Sequence, residues 1–102
     1  MQQQKFFNFI FFNEGLTPLH LACQIGSTNV VTLLLSNDKI DVNFGANLDD
    51  NGITPLHIAC KEGNIDVVKK LLSCQKVNKL AKTKNFSYTP FHFACQSGNL
   101  NL

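Results

Sequence analysis

A seven-residue motif that occurs three times constrains the fold of this chain more than any other feature. It reads Thr-Pro-Leu-His-Leu-Ala-Cys at residues 17–23, Thr-Pro-Leu-His-Ile-Ala-Cys at residues 54–60 and Thr-Pro-Phe-His-Phe-Ala-Cys at residues 89–95. The copies start 37 and then 35 residues apart (54 − 17 and 89 − 54), and each is followed by two residues and a Gly. This periodicity predicts a solenoid of similar units, each of which buries its apolar face against its neighbours.

Each copy of the motif has the signature of a helix start. The Thr can cap free backbone N–H groups, and the Pro stands at the first helical position, where its missing N–H is not needed. In the first copy Leu19, Ala22 and Cys23 recur at helical spacing and form one apolar stripe. Gly26 then favours the end of a short helix, because Gly adopts the left-handed conformation without strain.

A second helix is predicted directly after each of the first two copies, with buried faces over residues 29–35 and 65–72. Polar stretches follow at residues 43–52 and 78–87. The first of these stretches ends in Asp-Asn-Gly, which is a tight-turn signal.

The motif, its Gly, the Val-Val and Leu-rich second helix and Asp-Val-Asn at residues 41–43 together resemble the ankyrin repeat. The resemblance covers about residues 13–102. It implies an all-α fold, an ankyrin-type repeat solenoid of stacked antiparallel helix pairs with hairpin-like finger loops along one edge.

The predicted organisation is one ankyrin repeat domain over residues 13–102, with repeats at about residues 15–51, 52–86 and 87–102. Residues 1–12 contain a Phe-rich apolar run. This run is too short to span a bilayer, and it is interpreted as a degenerate N-terminal cap or the remnant of a preceding repeat.

The repeats depart from the usual ankyrin period of about 33 residues. The extra residues are placed at positions 37–40 and after Asn43, both in loops. Ser87 stands where a Gly is expected before the third motif, so a distorted turn is predicted there. The third repeat lacks its second helix, which leaves Phe91 and Phe93 uncovered. The chain is therefore expected to be a fragment of a longer array or a marginally stable product.

The pattern His-x-x-Cys recurs in every motif, and both side chains are good zinc ligands. Each copy supplies only two ligands, however, and packed helices lie roughly 8–10 Å apart. The same separation excludes a disulfide among Cys23, Cys60 and Cys95. Each His is instead predicted to bond its Thr cap and a neighbouring loop carbonyl, and each Cys to fill core space. No metal and no cofactor are predicted.

No catalytic residue is predicted either. A Cys–His pair needs an orienting third group and an oxyanion site, and the repeated helix starts do not assemble both at one place. Cys74 lies outside the motif, near the end of a second helix, and no charge partner makes it an obvious nucleophile. The sequence also lacks a Gly-rich phosphate loop.

The charge distribution bounds the class of partner. The formal net charge is +2, divided as −3 over residues 1–60 and +5 over residues 61–102, and the chain has no Arg. Because Arg provides most bidentate contacts to bases and phosphates, no nucleic-acid partner is predicted. The net charge is small, so no membrane partner is predicted either. Unpaired Cys in a packing role predicts an intracellular location, cytoplasmic or nuclear.

Cations and aromatic residues cluster in the second polar stretch, at Lys76, Lys79, Lys82, Lys84, Phe86 and Tyr88. A solvated finger loop is the simplest interpretation of this cluster. An acidic protein partner is the next, and single-stranded nucleic acid is the weakest because Arg is absent.

The resemblance implies a partner protein that contacts the finger tips and the exposed face of the first helices. The candidates in the turns before the motifs are Asn13, Glu14, Leu16, Asp50, Asn51, Ile53, Asn85, Phe86 and Tyr88. The candidates near the ends of the first helices are Gln24, Ile25, Lys61, Glu62, Gln96 and Ser97. Apolar members indicate either an interaction surface or packing between adjacent fingers.

The predicted function is therefore a non-catalytic protein-protein interaction module. The alternative is a structural segment of a larger array whose binding or catalytic site lies elsewhere.

Overall fold

A computed structural model describes residues 15–47 and 51–98. Within these residues the chain forms five short helices. They are α1 (Pro18–Ile25), α2 (Thr28–Leu35), α3 (Pro55–Glu62), α4 (Ile65–Ser73) and α5 (Pro90–Ser97). The N-terminal cap predicted for residues 1–12 lies outside the described residues. So does the part of the third repeat that follows its first helix.

The three motif helices begin with a capping box in which His takes the position of the usual Glu or Gln. The Thr17 hydroxyl accepts a hydrogen bond from the His20 backbone N–H at 3.3 Å, and the Thr17 N–H donates to His20 Nδ1 at 3.1 Å. The same pair of bonds joins Thr54 and His57. Each motif helix ends at a Gly in the left-handed conformation, as predicted, with φ of 86° at Gly26.

The helices form two layers. The motif helices α1, α3 and α5 pack side by side in chain order, and α2 and α4 pack behind α1 and α3 and against each other. The apolar core lies between the layers, where Leu19, Val31, Leu56 and Leu71 are almost fully buried. The helix pairs therefore stack as the resemblance implied.

The first finger, residues 43–53, is a short hairpin-like loop that binds the next repeat. Ala46 and Ile53 exchange backbone hydrogen bonds of 2.7 and 2.9 Å. The Asn43 side-chain amide donates to the Lys76 carbonyl at 2.8 Å, and its oxygen accepts from the Asn78 N–H at 2.6 Å. Because the amide satisfies backbone groups of the following repeat, it holds consecutive repeats in register.

The second finger, residues 78–88, closes differently. The Thr83 N–H donates to the Tyr88 carbonyl at 2.9 Å, so its closing pair spans fewer residues than the pair in the first finger. Ser87 adopts a φ of 55°, the left-handed conformation that Gly52 takes at the equivalent place with a φ of 69°. The turn thus differs from the first, as predicted, yet the chain keeps the backbone conformation of the missing Gly.

Ser87→Gly is expected to stabilise the protein. A side chain in the left-handed region costs about 1–2 kcal/mol, and the greater freedom of Gly in the unfolded chain offsets part of that gain. We expect the free energy of unfolding to rise by about 0.5–1 kcal/mol, measured by urea denaturation. Gly52→Ser is the matched control and should lower it, and a destabilising Ser87→Gly would contradict this account.

Candidate functional site

The C-terminal ends of the motif helices form a row across the stack. Three equivalent pairs of residues occupy it: Gln24 and Ile25 on α1, Lys61 and Glu62 on α3, and Gln96 and Ser97 on α5. All six are exposed, and Ile25 retains 75% of its accessible surface. Because α1, α3 and α5 pack side by side, these pairs lie on one continuous surface, which we call the helix-end row.

The fingers present only part of the predicted surface. Leu16 packs against the core, and Ile53 is buried with 8% exposure while its carbonyl accepts a hydrogen bond from His20. The expectation that these two apolar side chains belong to an exposed row is therefore wrong for Ile53, and Leu16 is half-buried. Both pack on the helical core, whereas the alternative interpretation was packing between adjacent fingers.

Asn51 also serves the scaffold. Its side-chain oxygen accepts from the Asn85 N–H at 2.8 Å, and its carbonyl accepts from the Lys84 N–H at 2.9 Å. Asn85 itself remains exposed. These bonds fix the tip of the second finger to the first. Asn13, Glu14 and Asp50 lie outside the described residues.

An aromatic stack extends from the second finger onto α5. The Tyr88 ring lies 5.4 Å from the Phe86 ring and 5.2 Å from the His92 ring, with interplanar angles of 29° and 18°. Phe86 retains 72% of its accessible surface, whereas Tyr88 is half-buried. Sequence reasoning named the first two aromatic residues but missed His92, which is only four positions after Tyr88 and contacts it across the start of α5.

Four lysines precede this stack in the sequence. Lys76 forms an ion pair with Asp38 at 2.8 Å, and both side chains face solvent. Lys79, Lys82 and Lys84 are exposed and have no acidic partner within ion-pair distance among the residues that the structure describes. The second finger is therefore locally basic.

The two buried histidines, His20 and His57, have a structural role. The Nδ1 of His20 accepts from a backbone N–H, so the ring proton lies on Nε2, which donates to the Ile53 carbonyl at 2.7 Å. His57 makes the equivalent bond to the Tyr88 carbonyl at 3.0 Å. This confirms the predicted role of His20 and His57. Burial lowers the pKa of both rings, because the charged form would lose its solvation and the Nδ1 acceptor.

The motif cysteines are free thiols, and the prediction that each fills core space is wrong for Cys95, which is exposed on α5. Cys23 and Cys60 are buried, and burial raises the pKa of Cys23 to about 12 and that of Cys60 to about 11. A thiol with so high a pKa holds almost no thiolate at neutral pH and is a poor nucleophile or ligand. Among the described residues no three His, Cys, Asp or Glu side chains lie close enough to hold a metal ion.

An apolar groove of about 400 Å³ lies between α1 and α2, lined in part by Pro18, Leu21 and Val30. The equivalent residues of the second repeat, Pro55, Ile58 and Val67, are buried beneath the first repeat. The groove is thus a stacking face of a helix pair. It lacks the convergent polar groups that orient a small-molecule cofactor.

The fold and these surfaces define a class of proteins made of stacked helix-pair repeats. A family model described as Ankyrin repeats (3 copies) matches residues 2–83 and 44–102. The chain belongs to the ankyrin repeat family, whose members are generally protein-protein interaction modules and typically non-catalytic. A comparison with curated proteins gave no significant match. No helix in the described part of the chain is long and apolar enough to cross a membrane.

Stability should fall as the pH is lowered through the histidine range. The folded-state pKa of His20 and His57 lies below the ordinary value of 6.5, so the unfolded chain binds protons more readily. The contribution of both rings is therefore complete above a pH of about 6.5 and is lost as the pH falls through their folded-state pKa. Thermal melts between neutral and mildly acidic pH measure this loss.

His57→Gln is the control for this prediction. Gln at the same helix position can keep the capping box but cannot titrate in this range. The variant should be less stable at neutral pH, because it loses the bond to the Tyr88 carbonyl, and its stability should depend less on pH. An unchanged pH dependence would show that His57 does not contribute.

The thiols should react with an alkylating reagent in two classes. Cys95 is exposed and Cys74 is half-buried, so they should be modified in the native state. Cys23 and Cys60 should resist until the protein unfolds, because burial both hinders access and raises their pKa. Mass spectrometry after native and denatured labelling distinguishes the classes, and early modification of Cys23 would contradict the packing described here.

Proposed function

We propose that the chain is a non-catalytic module that binds another protein through the helix-end row and the exposed finger residues. The observation that carries the proposal is that different positions of each repeat are buried and exposed. Its central Leu, His and Ala are buried in the stack in the first two repeats, whereas the residues just before the closing Gly are exposed in all three. Binding residues can therefore differ from repeat to repeat without disturbing the stack.

The rigidity of the surface also supports a binding role. The fingers are joined by Asn43 and Asn51, and the helices beneath them by the bonds of His20 and His57. Side chains on a pre-organised scaffold lose less conformational entropy when a partner binds. The row is mixed in character, with the exposed Ile25 at one end and polar and charged residues along the rest, so it offers both apolar and polar contacts to a partner.

A structural role within a larger array is the second candidate. Phe91 on α5 is 70% exposed, whereas Leu19 and Leu56 at the equivalent positions are 1% and 2% exposed, and their helices each pack against a second helix of the same repeat. The exposed Phe91 side of α5 is therefore suited to packing against a further helix. In that case the partner site could lie in another part of the array.

The proposal includes an intracellular location, cytoplasmic or nuclear. It rests on the four free thiols, of which two are deeply buried, since such thiols persist in reducing compartments.

Selection from an unbiased displayed peptide library tests the binding role. The whole chain should retain a defined set of peptides, and the triple variant Ile25→Ala, Lys61→Ala, Gln96→Ala should weaken them by about tenfold, because truncation removes contact area at the centre of the row. Titration of each recovered peptide by fluorescence anisotropy gives the affinities.

The matched control is the triple variant Leu33→Ala, Lys69→Ala, Gln75→Ala. It removes similar side chains from exposed positions on α2, on α4 and in the turn after α4, and Leu33 is 70% exposed. It should bind as the parent chain does. Failure to retain any peptide, or equal losses in both variants, would refute the proposed function.

A further inference from the structure

The second half of the chain carries an unusual excess of one charge. Residues 67–102 contain six Lys and no Asp or Glu. Two of these lysines, Lys69 and Lys70, are exposed on α4, and Lys76 is paired with Asp38. The other three lie on the second finger. This finger therefore has three ammonium groups and no carboxylate of its own.

The turn of the second finger holds these charges and the aromatic stack together. The closing bond between Thr83 and Tyr88 makes residues 83–88 one tight turn. Lys84 and Phe86 lie within that turn, and Lys82 directly precedes it. A ligand that contacts the exposed ring is thus within reach of the ammonium groups.

Phe86 forms the open end of the aromatic stack on the finger. Tyr88 stacks against both Phe86 and His92. Phe86 is 72% exposed, and among the described residues its ring stacks on Tyr88 only, so much of the ring faces solvent. A large apolar side chain left in water next to lysines is a candidate anchor for a partner.

The geometry is set before any ligand arrives. The tip is fixed to the first finger by the bonds from Lys84 N–H and Asn85 N–H to Asn51, and the base is fixed by the bond from His57 to the Tyr88 carbonyl. Little ordering of the backbone is needed on binding, which lowers the entropic cost of the complex.

We propose that this surface binds an acidic segment of a partner protein that carries an aromatic or large apolar side chain. It consists of Lys79, Lys82, Lys84, Phe86 and Tyr88 and is called the finger surface below. The proposal rests on the proposed function and adds the chemistry of the partner. Carboxylates accept hydrogen bonds from the lysine ammonium groups, and the apolar side chain packs on the exposed ring of Phe86.

An acidic peptide fits this surface better than a nucleic acid does. Proteins that hold single strands place successive bases on several aromatic faces and commonly add Arg stacking. This finger presents one exposed aromatic ring, and the chain has no Arg. One anchor flanked by cations suits one apolar side chain flanked by carboxylates.

Fluorescence anisotropy with defined probes tests the proposal on the whole chain. The probe is a short labelled peptide of Glu residues around a single Phe. Its comparisons replace Phe by Ala, or every Glu by Lys, and a further probe is an oligothymidylate of similar charge. We expect the parent peptide to bind most tightly, the Ala peptide to bind several-fold more weakly, and the Lys peptide not to bind. Added salt should weaken binding of the parent peptide, because exposed charges are screened.

A pair of charge-matched variants locates the site. Lys82→Gln with Lys84→Gln should weaken the parent peptide by about tenfold, since exposed ion pairs contribute modestly and two are lost. Lys69→Gln with Lys70→Gln removes the same charge from α4 and should change the affinity less than about twofold. Circular dichroism and thermal melts establish that both variants fold.

Three results would overturn this inference. Tighter binding of oligothymidylate than of the acidic peptide would assign the surface to nucleic acid. Equal losses in the two lysine variants would show a diffuse charge effect rather than a site. Library peptides that are neutral and bind the helix-end row, together with no binding of the acidic peptide, would sink the inference while leaving the proposed function intact. A library that yields no binder at all would instead refute the proposed function.

Discussion

The arrangement of the repeats depends on a buried imidazole that forms hydrogen bonds both within its own repeat and to the following finger. Within its own repeat the Nδ1 of His20 or His57 accepts from the N–H of the capping Thr, and Nε2 donates to a carbonyl of the following finger. A hydrogen bond of this kind contributes a net 0.5–1.5 kcal/mol or so, but a buried polar group left unpaired costs about 1–3 kcal/mol. The ring therefore couples three things that could otherwise vary independently: the helix start, the direction of the finger and the position of the next repeat.

The hydrogen bonds of His20 and His57, called the histidine joint here, belong to the stack of repeats and not to the surfaces proposed for binding. Apolar burial supplies most of the favourable energy of the stack, while His and Asn side chains select its register, because their hydrogen bonds form in only one arrangement. Asn43 and Asn51 extend the same principle along the fingers. Residues engaged in this network are not available to a partner, and the two surfaces proposed for binding, the helix-end row and the finger surface, lie largely outside it. Tyr88 belongs to both systems, since its carbonyl serves the joint and its ring supports Phe86.

Much of this could be predicted from the sequence because it depends on neighbouring residues along the chain. Helix starts follow from Thr-Pro and helix ends from Gly. The predicted bonds of His20 and His57 and the predicted packing of Cys23 and Cys60 in the core are confirmed for the same reason. The burial of Ile53 was not predictable, since a finger position looks the same in sequence whether it faces solvent or the helices.

The sequence by itself determined the repeat, its helix boundaries and the excess of lysine in the second half. Only the tertiary structure decided which finger residues are exposed. Ile53 and Tyr88 both directly precede a motif Thr. Ile53 is buried, whereas Tyr88 is half-buried and stacks on the exposed ring of Phe86, because the two positions have different surroundings in the stack. The tertiary structure likewise decided that Ser87 keeps a glycine conformation and that His92 joins the aromatic stack. The burial of Ile53 depends on contacts between segments distant in the chain, and local pattern carries no information about such contacts. The Ser87 turn and the Tyr88–His92 stack join residues close in sequence, and they depend on how the finger meets the start of α5.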